Sequence, residues 1–178
     1  MVLAVVVPVL LARSMSLADI VAAQSGGRWF LWWPPGPGLV AGILFLLASL
    51  AEGNRIPFDI PEAESELVSG VSTEYTGMKF GMFYLAEYLH SLVGSAVFVT
   101  LFLGGYDGPG PNVIVLQAAW FVVKTALVST ALLWVRWTLL RVRSDQLMSL
   151  CWKWLLPTGL VVVMAAAVWT RYSPRGAP

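Results

Sequence analysis

The chain has 178 residues, 58% of them hydrophobic and only 12% charged, with a mean hydropathy of +0.75, a balance that a water-soluble globular domain does not tolerate on its surface. Eleven Lys and Arg against ten Asp and Glu leave a formal net charge of +1, so there is no basic field to hold nucleic acid. One Cys (Cys151) and one His (His90) argue against a disulfide framework, a tetrahedral zinc site, an iron–sulfur cluster or a Ser-His-Asp centre built from this chain alone.

The apolar runs predict an all-α fold, a polytopic transmembrane helix bundle forming a single membrane domain over 1–178. The first run, 1–12, is short, contains Pro8 and ends at Arg13. It lacks the basic start and small-residue cleavage site of a signal peptide and reads as part of a longer span. The second, 34–51, opens on Pro34 and Pro35, which suit a first helical turn, behind Trp29, Trp32 and Trp33, which read as an interfacial aromatic belt. The third and fourth, 78–103 and 113–140, exceed the about 20 helical residues that cross a hydrocarbon core. The last, 154–170, is flanked by Trp152, Trp154 and Tyr172.

Between the third and fourth runs, GGYDGPGPN is a tight Gly/Pro turn without evident chemistry. On one side of the bundle lie Arg55, Lys79, Arg136, Arg141, Arg143 and Lys153, and on the other Arg13, Arg28, Arg171 and Arg175. That excess of basic residues places the 52–77 connection in the cytoplasm.

The same connection gathers six of the ten acids, Glu52, Asp59, Glu62, Glu64, Glu66 and Glu74, against Arg55 and Lys79. Pro57 keeps Ile56 extended, Asp59 and Glu62 have a capping-box spacing, and a helix from about Ile60 would put Glu62 and Glu66 on one face. Two interpretations stay open. Closely spaced carboxyls raise one another's pKa and can relay protons near neutral pH, or the segment is an acidic, water-facing loop that caps helices.

Two charges fall deep inside apolar runs, about two turns or more from a plausible helix end. Glu87 interrupts the third and Lys124 the fourth. An ionisable group at membrane depth is costly unless paired or hydrated, which makes both candidate functional residues; snorkelling is the competing explanation, stronger for Lys124 with its long stem. His90 shares a helix face with Glu87 and is expected to pack or hydrogen-bond.

The string AEGNRIPFDIPEAESELVSGVSTEYTGMKFGMFYLAEY, from Ala51 to Tyr88, resembles the signature region of the H-type membrane subunits of bacterial NADH-quinone oxidoreductases, the family whose mitochondrial counterpart belongs to complex I. The resemblance continues through LFLGG (Leu101 to Gly105), the Lys124 helix and DQLMSLCWKWLLP (Asp145 to Pro157). It covers nearly the whole chain but only the C-terminal half of the family pattern, so the chain is expected to be part of a longer polypeptide.

This resemblance implies a multi-pass subunit of the bacterial cytoplasmic membrane, acting in a proton-translocating oxidoreductase and not catalytic alone. It implies quinone as substrate, a lipid bilayer around the chain, and partners in the membrane and peripheral arms of complex I that carry the iron–sulfur clusters and flavin. Arg55, Asp59, Glu62, Glu64 and Glu66 map to the lining of the quinone chamber. Glu52, Glu74 and Glu87 map to acids leading protons toward the membrane, and Lys124 and Arg136 to Arg143 to charged family positions, Lys124 being counted with those acids on the proton path. Leu140 and Ser144 depart from a family Pro and Tyr before DQLM, which puts the local bend and a phenolic hydrogen bond in doubt. Two rival functions are an ion-translocating subunit of an energy-converting hydrogenase and a non-catalytic membrane scaffold.

Overall fold

The computed structural model describes residues 1–33, 36–53, 58, 75, 77–109, 113–140 and 142–172. Among these the chain is all α-helical, as its apolar runs predict. The helices are α1 (Val2–Ala12), α2 (Leu17–Ala23), α3 (Pro37–Glu52), α4 (Met78–Phe102), α5 (Ile114–Thr138), α6 (Ser144–Leu150) and α7 (Leu156–Tyr172). α4, α5 and the continuous stretch Ser144–Tyr172 are each long and apolar enough to cross a membrane.

α1 and α2 meet at an angle of 63°, at a corner where Arg13 takes a left-handed conformation with φ 55°. Ser14 Oγ donates to Asp19 Oδ2 at 2.7 Å and accepts from the Ser16 amide at 3.1 Å, satisfying polar groups that the broken helix leaves behind. The Arg13 guanidinium donates to the Thr170 carbonyl near the end of α7. At the other end of the same pair, Leu3 lies against Gly159, so α1 and α7 run parallel.

α6 and α7 are joined by a π-helical turn at Cys151–Leu155. Pro157 has no amide hydrogen to give to the Lys153 carbonyl, and its ring would crowd that oxygen in an ideal α-helix. The helix widens instead, with the Leu156 amide reaching back to the Cys151 carbonyl, and the Thr158 hydroxyl donates to the Trp154 and Leu155 carbonyls. Gln146 Oε1 accepts from the Arg143 amide at 3.4 Å at the start of α6, so the helix begins at Ser144, ten residues before the apolar run predicted from Trp154.

In a bilayer, helices associate through close packing more than through the hydrophobic effect, because lipid is as apolar as leucine. α3 and α4 cross with their backbones close: a Cβ on Gly94 would come within 2.9 Å of Ser49 Oγ. Nearer the other end, Phe45 packs on Phe98 and Phe102, each pair of rings 5.9 Å apart. The surrounding core gathers Ala4, Val7, Ile20, Phe30, Ala41, Leu101, Val162 and Ala166. Leu50 of α3, Leu132 of α5 and Phe58 form a second cluster.

Candidate functional site

The α3–α4 pairing sets the position of the acids. Gly42 faces Phe98 and Phe102, Ser49 faces Gly94, and Gly53 lies beside His90, whose Cδ2 would be 3.5 Å from a Cβ at that glycine. The helices are antiparallel in this register, and Glu87 lies one turn beyond His90, about 4.5 Å further along α4. Glu52, exposed in the last turn of α3, and Glu87, half-buried on α4, therefore share one end of the bundle. The acid-rich connection leaves α3 and rejoins α4 at that same end. Phe58, within it, is buried against Leu50 and Leu132. Arg55, Asp59, Glu62, Glu64, Glu66 and Glu74 lie outside the described residues, as does the helix expected from Ile60.

Lys124 stands elsewhere. It sits ten residues into α5 with only 8% of its surface exposed. Its ammonium donates to the carbonyls of Leu103 at 2.7 Å, Gly105 at 3.3 Å and Asp107. The nitrogen also lies 4.7 Å from the centre of the Trp29 ring, a cation–π geometry. Leu103 is sixteen residues beyond Glu87, so the acids and the anchoring point of the lysine are separated by roughly 24 Å along α4. The structure brings Glu52 and Glu87 to one end and holds Lys124 at the other.

Sequence reasoning missed the residues that complete the lysine end. Gln24, fully buried at the end of α2, donates through Nε2 to the carbonyls of Ile20, Thr100 and Leu101 at 3.2 to 3.3 Å. Its Oε1 accepts the amides of Phe30 at 3.2 Å and Gly104 at 3.0 Å. Gly104 and Gly105 adopt φ 72° and 52°, the left-handed region that suits glycine, and turn the chain out of α4. The turn lies against α5, where Lys124 reaches its carbonyls, and buried non-helical backbone must find its hydrogen-bond partners within the protein. Gln24 and Lys124 supply the donors. A lone Gln between two apolar runs carries no signal of this role.

Between these ends, on α4, Ser95 is fully buried and donates to the Ser91 carbonyl at 2.9 Å. Ser49 is also buried. Thr125 Oγ1 and Ser129 Oγ are buried without a hydrogen-bond partner among the described residues. No cluster of three or more His, Cys, Asp or Glu that could hold a metal ion occurs among the described residues.

A family model described as NADH dehydrogenase matches residues 1–167. The chain is 43% identical to the H subunit of the NADH-quinone oxidoreductase of Anaeromyxobacter dehalogenans, across 94% of this chain and 46% of that protein. It is 46% identical to the second H subunit of the NADH-quinone oxidoreductase of Syntrophobacter fumaroxidans, across 96% of this chain and 49% of that one. With the second H subunit of the Geobacter sulfurreducens enzyme the identity is 47%, across 91% and 46%. The chain spans about half the length of the curated relatives it matches.

Proposed function

The chain belongs to the NADH dehydrogenase family, and from that premise we propose that it is a membrane subunit of a proton-translocating NADH-quinone oxidoreductase of the bacterial cytoplasmic membrane. Its acidic connection, with Arg55, Asp59, Glu62, Glu64 and Glu66, contributes to the quinone chamber, and Glu52, Glu74 and Glu87 pass protons from that chamber toward the membrane. The observation that carries this is the convergence of Glu52 and Glu87 at the end of the α3–α4 pair where the connection departs and returns.

Two-electron reduction of a quinone to a quinol takes up two protons. In a confined, low-dielectric chamber the charge of the reduced quinone acts on nearby carboxylates, whose coupled titration links the redox step to proton movement. Glu87 extends the acid set about two and a half turns into α4, where a proton entering from the connection would next be held. Electrons arrive from iron–sulfur clusters and flavin in partner subunits of the two arms of the complex, so this chain binds and positions but is not catalytic alone.

The test is photolabelling of the assembled complex with an azidoquinone, followed by mapping of the adducts. Adducts within residues 52–77 that an excess of the native quinone competes away are expected. Labelling confined to other subunits, with none in that connection, would remove the chamber assignment.

A further inference from the structure

We propose that Lys124 is a tethered cation that clasps the turn between α4 and α5 and keeps its proton throughout turnover, outside the path that the acids form. The proton-yield readout below rests on the oxidoreductase reading; the turn-exchange readout does not.

A group that relays protons must present a lone pair in one of its states and stand within reach of a proton donor and acceptor. The surroundings of Lys124 fit an ammonium instead. Its nitrogen meets the carbonyl oxygens of Leu103, Gly105 and Asp107, one acceptor for each hydrogen of an ammonium; a neutral amine has one hydrogen fewer and would turn its lone pair on an oxygen. The Trp29 ring, 4.7 Å from the nitrogen, attracts a cation through its face. Asp107 lies within electrostatic reach, so the charge is balanced. The carboxylate of Asp107 is nevertheless turned to another partner: it is the backbone carbonyl that accepts from Lys124, while Oδ2 accepts the Gly26 amide at 3.2 Å. Glu87, the acid placed deepest in the helices, is about 24 Å away along α4.

What the ammonium gathers is the bend at Gly104 and Gly105, where the chain leaves α4 with positive φ. Its acceptors lie before, within and after that bend. Trp120, one turn earlier on α5, donates to the Pro109 carbonyl at 3.2 Å, and a Cβ on Gly108 would come within 2.6 Å of its ring. Two side chains of α5 thus grip the chain from Leu103 to Pro109. α4 is one helix of 25 residues, so fixing its end on α5 also fixes how far the two helices slide past each other, and with it the depth of Glu87. Lys124 is in this sense a positioning residue.

The experiment uses the assembled complex in liposomes, with hydrogen–deuterium exchange on peptides covering residues 103–109 and, separately, protons translocated per NADH oxidised. The Gly105 and Asp107 amides, bonded to the Val99 and Gly104 carbonyls, report opening of the turn. Lys124→Ala is expected to speed their exchange at least about tenfold, as loss of hydrogen bonds to a charged group requires. n-Propylammonium, the severed end of the side chain, restores protection, and n-propanol of the same shape does not. Lys124→Arg, a cation that cannot release its proton, keeps the turn protected and pumps within about twofold of wild type. An Arg variant with a protected turn that fails to pump, an Ala variant that exchanges like wild type, or propylammonium that restores no more than propanol overturns the proposal. Should a variant fail to assemble, or Arg loosen the turn, the wild-type complex decides by labelling with acetic anhydride, which acylates only neutral amines. Lys124 acylated no faster during NADH oxidation than at rest, with exposed Lys79 and Lys153 as references, supports the clasp; faster acylation during turnover refutes it. Turn exchange is read without NADH, so loss of the clasp and loss of the quinone assignment are separate results.

Discussion

Replacing Gln24 by Leu keeps the approximate volume of the side chain but removes every polar contact it makes at the end of α4. The Phe30 and Gly104 amides lose their acceptor, and the Thr100 and Leu101 carbonyls lose a donor, at a residue with no solvent exposure to compensate. A buried amide left unsatisfied costs about 1 to 3 kcal/mol, so the two amides together weaken the local structure by about 2 to 6 kcal/mol; the carbonyls add less, because helix ends tolerate free acceptors better. Opening of this corner should become easier by at least about 30-fold, since each 1.4 kcal/mol is a factor of ten. The assay is hydrogen–deuterium exchange in the assembled complex, followed on peptides covering residues 24–31 and 99–107. Faster exchange confined to those peptides is expected. Exchange in both within twofold of wild type would show that Gln24 does not hold the end of α4.

Trp29 and its neighbours should separate in the same assay. Trp29→Leu removes the ring over Lys124 and beside Gly104, a loss of about 0.5 to 2 kcal/mol seen as faster exchange around Gly104, while Trp32→Leu, at a residue 66% exposed, should leave it unchanged. Gly94→Leu places a branched side chain where a single Cβ already meets Ser49 Oγ at 2.9 Å; α3 must move away, and the yield of intact complex on native gels should fall several-fold, with Gly94→Ala intermediate.

The long spans were legible because apolar length is itself the signal: α4 and α5 follow from two runs whose only charges far from an end are Glu87 and Lys124. Both residues stood out for the same reason, as charges where a bilayer makes charge costly. What the sequence does not carry is their separation. Lys124 is held by the backbone carbonyls of Leu103, Gly105 and Asp107, and a carbonyl belongs to every residue alike, so no residue type announces the acceptor set. Trp29 has the same identity and nearly the same address as Trp32 and Trp33, yet it turns inward while they remain exposed. Only the turn that brings Phe30 and Leu31 against the end of α4 distinguishes them. The helical start at Ser144 was hidden by Arg143, Asp145 and Gln146, polar residues that cap a helix as readily as they fill a loop.

Glu87 is the point at which the acid set of the connection continues into α4, a helix long and apolar enough to cross a membrane, and its proposed role is to hold a proton there. The direct measurement is the number of protons translocated per NADH oxidised, in liposomes containing the assembled complex with Glu87→Gln, a substitution that keeps shape and hydrogen bonding but cannot carry a proton at neutral pH. A complex that assembles normally with coupled turnover or proton yield reduced at least about tenfold, in line with the loss of a positioned proton carrier, is the predicted result. A variant that assembles and pumps like wild type would contradict it and leave the acid-bearing end of α3 and α4 as a docking surface.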